Sequence, residues 1–459
     1  MIDLRTENDF LGKLDVPRDA YWGIHTQRAI TNFHISNTRV NPSLIRALAQ
    51  VKRACCLANA ETGCLSSEKA GAIEKACIEI SSGLLADQFP VDVLQGGAGT
   101  STNMNLNEVI ANRAIELLGG RKGDYHLIHP LEDVNLHQST NDVYPTAIKV
   151  AGTMALRQLA QIIAHLQGAF QEKEKEFAAI VKLGRTELQE AVPITLGAEF
   201  SAFAEAFSRD RWRTFKCEER LRVVNLGGTA VGTGLAAPRD YIFSVVEKLR
   251  EVTGLGLSRG ENIMGETANA DSYVEVSGIL KAHAVNLIKI SNDLRLMNLL
   301  GEIRLPQLQA GSSIMPGKVN PVLAEAAVQV GLKVIANDGI IADTACRGML
   351  QINEFLPLLA HALLESLDLL INMDTLLSKH VKDIVADQTK CEEYFDRSPM
   401  IITALLPEIG YEQAMRLIAE YSSGGESNMR LFLEKKLGKD IVDKYLSPDQ
   451  LTALGYKKS

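Results

Sequence analysis

Four short stretches of this chain gather hydroxyls, glycines and amides just ahead of helical patterns. They are Gly96 to Asn103 (GGAGTSTN), Gln138 to Pro145 (QSTNDVYP), Gly184 to Pro193 (GRTELQEAVP) and Gly311 to Pro321 (GSSIMPGKVNP). Taken singly, each reads as an ordinary N-cap, because Ser, Thr and Asn side chains accept from the first free N–H groups of a helix. Taken together they suit anion binding. A helix start offers unpaired donors and the positive end of the helix dipole, so several such starts converging would hold a small dicarboxylate. The fourth stretch adds more. Gly311 and the Pro316-Gly317 pair bracket a flexible run, Lys318 supplies a point cation, and Asn320 supplies a two-donor amide. Pro321 falls where the first residue of the next helix belongs. A loop of this composition can close over a ligand and expel water.

The elements that must carry these stretches are predicted to be helices. Aromatic residues make up only 5% of the chain, while Ala and Leu abound, and unbranched side chains lose little rotamer freedom in a helix. Apolar stripes at helical spacing start near Pro42 and recur over 67–85 and 104–118, the latter stopped by Gly119-Gly120. Longer patterns cover 153–181, 199–224, 272–300, 322–336 and 355–377. Helices of that length make sense as rods sharing one core. The first forty residues read as irregular. Shorter helices follow Lys390, separated by Ser398-Pro399, Ser422 to Gly425 and Ser447-Pro448. The division expected is an N-terminal, mostly helical domain over 1–137, a central long-helix domain over 138–389 and a small helical domain over 390–459.

Net charge is −8 over 459 residues, which leaves no basic footprint for nucleic acid. No apolar stretch reads as a membrane span, and the N-terminus lacks the apolar core of a signal peptide. Seven scattered cysteines without a C-x-x-C pair argue against a disulfide framework or zinc site and for a reducing, cytoplasmic compartment. The nine histidines are unclustered, and no His/Asp/Glu spacing predicts a catalytic metal. Gly317-Lys318 lacks the spacing of a phosphate-binding P-loop.

GSSIMPGKVNP resembles the signature loop of the aspartase/fumarase superfamily, Gly-Ser-Ser-x-Met-Pro-x-Lys-x-Asn. The resemblance runs over nearly the whole chain, from Asp9 to Phe33 through QFPVD, GGAGTSTNMN and QSTNDVYPT to LGGTAVGTGLAAPRDY at 226–241. The QSTND form is similar to that of aspartases, where fumarases typically carry Ser-Ser-Asn-Asp. The resemblance implies a mainly α, three-domain fold whose long central helices tetramerise into a twenty-helix core. It implies active sites shared among three subunits of a homotetramer, and elimination of ammonia from L-aspartate without an organic cofactor. No Ala-Ser-Gly triplet is present, so the self-made electrophile of the histidine and phenylalanine ammonia-lyases is not expected. By match to the family motifs, Ser312 is the general base. Thr100, Ser139, Thr140 and Ser313 would hold the carboxylate that gains charge, Lys318 and Asn320 the other carboxylate, and Asn141 the departing amine. Thr186 would line the same pocket. Apart from the resemblance, His137 is the one histidine beside these stretches; it reads first as a structural residue, and otherwise as one that positions Gln138 and Ser139 or relays a proton. A serine is too weak a base unless water is excluded and backbone N–H groups face its alkoxide.

Two departures stand out. Position 187 of the Gly-Arg-Thr-x-Leu-Gln motif is histidine in fumarases and many aspartases, and glutamine in some aspartases; here it is Glu187. Glu325, seven residues after Lys318, matches the carboxylate that normally partners that side chain. Two facing carboxylates would share a proton or hold a cation such as the substrate ammonium; alternatively Glu187 turns away onto Arg185 or another arginine. Second, relatives usually carry a longer stretch with Ser-Gly-Pro-Arg where this chain reads Leu296 to Glu302. These departures keep open another substituted succinate or amino acid as substrate, with fumarate hydration behind it.

Overall fold

The computed structural model describes residues 3–456. The chain is mainly helical, with two-stranded sheets between the helices. In order it forms β1 (Leu4–Asp9), β2 (Gly12–Pro17), α1 (Ile24–Asn32), α2 (Pro42–Glu61), α3 (Ser67–Ser81), α4 (Thr100–Leu117) and α5 (Thr140–Glu176). Then come β3 (Val181–Thr186), β4 (Gln189–Thr195), α6 (Leu196–Cys217), α7 (Arg239–Thr253), α8 (Ile263–Ala268), α9 (Asp271–Leu300), α10 (Val322–Ala345), α11 (Leu356–Val381) and α12 (Gln388–Arg397). Shorter helical turns continue to Thr452. It folds as two compact units. One holds the chain up to Leu159 with Arg213–Ala282 and Lys333–Leu370; the other holds Ala160–Trp212, His283–Leu332 and everything from Ile371.

Within the first unit, the start expected to be irregular is instead a hairpin, with Leu4 opposite Pro17 and Asp9 opposite Gly12, followed by α1. Most of its residues are polar, so no apolar alternation betrays it. Glu108 of α4 is fully buried and accepts from the N–H groups of Gly23, His25 and Thr26, so that α1 begins on a carboxylate. The chain enters α2 through Pro42, with Asn41 accepting from the Ser43 N–H, a standard start.

α5 begins thirteen residues earlier than its apolar stripe suggests, because Pro145 lies inside it. Proline removes one donor and orphans the carbonyl four residues before. That carbonyl, on Asn141, accepts instead from Asn225 Nδ2 at 2.8 Å, and the helix survives.

In the second unit, Phe170 of α5 and Phe177, just past its end, pack against Phe200, Phe203 and Phe207 of α6 with ring centroids 5.1–5.9 Å apart. The short helices after α12 close a separate apolar core around Phe395, Ile401, Leu405, Met429 and Leu433. Leu183 of β3 belongs to that core, which roots the β3–β4 hairpin. α11 is, by length and composition, apolar enough to cross a membrane; two thirds of its most apolar window is buried inside the protein, as in a core helix.

Candidate active site

The residues singled out from sequence gather into two groups. In the first unit, Thr100 opens α4 and Thr140 opens α5. Gly99, just before α4, has φ +96°, and a side chain there would come within 2.7 Å of the Tyr144 ring of α5. Only glycine lets the two helix starts sit this close. Asn103 of α4 then donates to Thr140 Oγ1 at 3.1 Å and to Asn135 Oδ1 at 3.2 Å. Thr100 is exposed and donates its hydroxyl proton to Gly97 O at 2.6 Å. Ser139 and Asp142 form a capping box: the Ser139 N–H donates to Asp142 Oδ1 at 3.0 Å, and Ser139 Oγ accepts from the Asn141 N–H at 3.2 Å. The signal was present in QSTND and went unused. Asn141 donates its amide to Ala230 O at 2.8 Å, tying α5 to the Gly-rich loop after Leu226.

Two buried charges lie behind these groups, and sequence reasoning missed both. Lys52 of α2 is fully buried and donates to Asn135 Oδ1 at 2.8 Å and Gln138 Oε1 at 2.9 Å. Burial lowers its pKa to about 8. It follows Leu48 by four residues and precedes Cys55 by three, so its place on an apolar face could have flagged it. Asp142 is equally buried, and its pKa is raised by burial to about 7 against the N–H donors of Ser139 and Thr229. His137 does not hold Gln138: its Nδ1 sits 2.6 Å from Asn59 Oδ1, its ring lies against Tyr241, and burial lowers its pKa. The side chain that holds Gln138 is Lys52.

The second unit carries the rest. Thr186 ends β3 and Glu187 begins the tip turn of the β3–β4 hairpin, both exposed. The tip turn, Glu187-Leu188, has φ +52° and +61°. A turn of this kind favours Asn-Gly, and two left-handed side-chain-bearing residues store about 1–2 kcal/mol each. Arg185 does not pair with Glu187; its Nη1 lies 2.6 Å from Glu302 Oε1. Glu325 faces Arg295 at 4.0 Å. No hydrogen bond among the described residues joins Thr186 or Glu187 to the 311–320 loop.

That loop closes on itself. The Gly311 N–H donates to Lys318 O at 2.7 Å, and Asn320 Nδ2 donates to Gly311 O at 2.9 Å. Inside it, Ser312 Oγ accepts from two backbone N–H groups, those of Ile314 at 3.2 Å and Met315 at 2.9 Å. Donors aimed at a hydroxyl oxygen stabilise its alkoxide. Ser313 and Lys318 are exposed, as is Ile314 at 84%. Among the described residues no cluster of His, Cys, Asp and Glu could hold a metal ion.

Comparison with known proteins gives consistent matches. The sequence model of a lyase family matches residues 12–336. An aspartate ammonia-lyase from a Bacillus species is 44% identical over 460 residues, covering 99% of this chain and 98% of its own. A fumarate lyase:delta crystallin from Brucella melitensis, bound to cobalt, shares the fold with TM-score 0.93 and 44% identity, over 98% of this chain and 99% of that one. A class II fumarase from Schistosoma mansoni follows with TM-score 0.91 and 32% identity, over 97% and 98% of the two chains.

Proposed function

The chain belongs to the aspartase/fumarase superfamily of lyases, and from that premise we propose that it is a carbon–nitrogen lyase, reversibly deaminating L-aspartate to fumarate and ammonia. Ser312, as alkoxide, takes a proton from the methylene carbon beside the side-chain carboxylate. The electron pair moves into that carboxylate, giving the doubly charged aci form. It then returns to make the carbon–carbon double bond while the nitrogen leaves as ammonia with the C–N pair. The observation that carries this reading is the pair of N–H groups, from Ile314 and Met315, on Ser312 Oγ.

Thr100, Ser139, Thr140 and Ser313 hold the carboxylate whose charge grows, so their hydrogen bonds strengthen toward the transition state. Lys318 and Asn320 take the other carboxylate, Asn141 and Thr186 border the amine, and Glu187 and Glu325 hold the ammonium between them. The working particle is a homotetramer in the cytoplasm, with each site drawing on three protomers. Support for the assembly comes from apolar side chains left exposed on the long helices: Val285 at 51%, Leu299 at 79%, Leu332 at 56% and Leu376 at 47%. Glu187 and the shortened approach to the loop favour a second reading, in which the same base acts on another amino-substituted succinate.

The test is the ultraviolet absorbance of fumarate on adding L-aspartate, with L-malate as the fumarase control. Ser312→Ala should retain fold and assembly and lose about 10²–10⁴-fold in kcat, the range of a general base. Normal turnover by that variant would end the proposal.

A further inference from the structure

Glu302 is a fully buried carboxylate that the mechanism leaves unused. Glu302 has a side chain that is 0% exposed and faces two cations of one strand, Lys182 Nζ at 2.7 Å and Arg185 Nη1 at 2.6 Å. On a regular strand residues three apart point to opposite faces. Here the register shifts between Leu183 and Arg185, so that Gly184 alone faces two residues of β4. A bulge bends the pair and adds twist, and with the length of the arginine this lets both cations converge on Glu302. Gly184 admits the bend: a side chain there would stand 3.1 Å from Val192 O. Glu199 meets Lys182 at 2.5 Å, so two carboxylates balance two cations.

Arg185 is followed directly by Thr186 and Glu187, whose turn is strained and must be held by its surroundings. On its other side, Glu302 opens the run to the signature loop. Its carbonyl accepts from the Asp387 N–H at 2.9 Å, Ile303–Arg304 pairs with Val385–Ala386, and Ser312 lies ten residues after Glu302. One carboxylate thus ties the hairpin root to the loop root of the same protomer.

We infer that Glu302 is a positioning residue for the amine end of the reaction, clamping β3, the strand opposite the bulge, through Lys182 and Arg185 so that Thr186 and Glu187 present their side chains to the substrate. The inference rests on the reading of those two residues as substrate contacts. It does not need Glu302 to touch substrate.

The experiment is a double-mutant cycle between Glu302→Gln and Glu187→Gln in the full-length enzyme, read as kcat and KM for L-aspartate. If Glu302 acts through the hairpin, Glu302→Gln raises KM about tenfold with an unchanged circular-dichroism spectrum. Adding it to Glu187→Gln then costs little more, because the effects are not additive. Arg185→Lys, which keeps the charge and loses the fork, should behave like Glu302→Gln, and it carries the cycle if Glu302→Gln does not fold. Unchanged kinetics in a folded variant, or fully additive losses, overturn the clamp. Two controls separate this from the parent reading: the wild type must turn over L-aspartate and Ser312→Ala must not, and their failure sinks the function rather than the clamp.

Discussion

His283 offers a stability prediction that can be worked from the structure. It sits on α9 with its side chain 1% exposed, its Nδ1 3.0 Å from Asp210 of α6 and its Nε2 2.7 Å from Asp374 of α11. Asn286 donates to both Asp210 oxygens, at 3.0 and 2.9 Å. Burial alone would push the imidazole pKa down, but the charges of Asp374 and Asp210 and their hydrogen bonds outweigh it and raise it to about 10. In the unfolded chain the group titrates near 6.5. The folded state therefore binds the proton more tightly. The stabilisation is complete below pH 6.5 and disappears as pH climbs through 10. At 1.36 kcal/mol per unit, roughly 4 kcal/mol is lost between those two values. His283→Gln keeps one hydrogen bond and removes the charge. That leaves two buried carboxylates without it, at a cost of about 3–5 kcal/mol at neutral pH. The assay is apparent unfolding temperature by differential scanning at a series of pH values for both proteins. Wild type should decline steeply between pH 6.5 and 10 while the variant, lower throughout at neutral pH, stays flat there. Parallel curves over that range would refute the buried ion triad.

Two further outcomes follow from the site. Glu187→Gln should raise KM for L-aspartate about tenfold, the loss of one modest ionic contact to the ammonium, and should change the pH profile of kcat/KM; identical profiles and affinity would remove Glu187 from the amine subsite. Gly99→Ala forces a methyl group toward the Tyr144 ring in a left-handed conformation, so it should cost about 1–3 kcal/mol, seen as a lower unfolding midpoint in urea, and should weaken carboxylate binding by separating the starts of α4 and α5.

The long rods were legible because their apolar stripes persist for many turns: 272–300 read from sequence falls on Asp271–Leu300, and 322 onward on Val322–Ala345. What escaped were places where a tertiary partner replaces a local rule. α5 passes through Pro145 only because Asn225 takes up the orphaned Asn141 carbonyl, eighty-four residues away. The β3–β4 hairpin turns on Glu-Leu instead of Asn-Gly, and nothing within a few residues of that turn announces it. Lys52 sits on an apolar helix face, which hints at burial, but its partners Asn135 and Gln138 lie more than eighty residues away.

These departures share a location. Pro145, Gly99, Lys52 and the Glu187-Leu188 turn all lie in or directly behind the four hydroxyl-rich stretches from which the functional reading started. Local sequence preference is violated where side chains must be aimed rather than merely packed, because aiming needs tight helix starts, bulges and buried charges that no isolated segment would choose. The signature loop obeys the same logic. Its apolar tip at Ile314 stays in water, while backbone donors that would serve any loop as a turn are spent on a single hydroxyl oxygen, at Ser312. Such donors are what the proposed alkoxide at Ser312 would need.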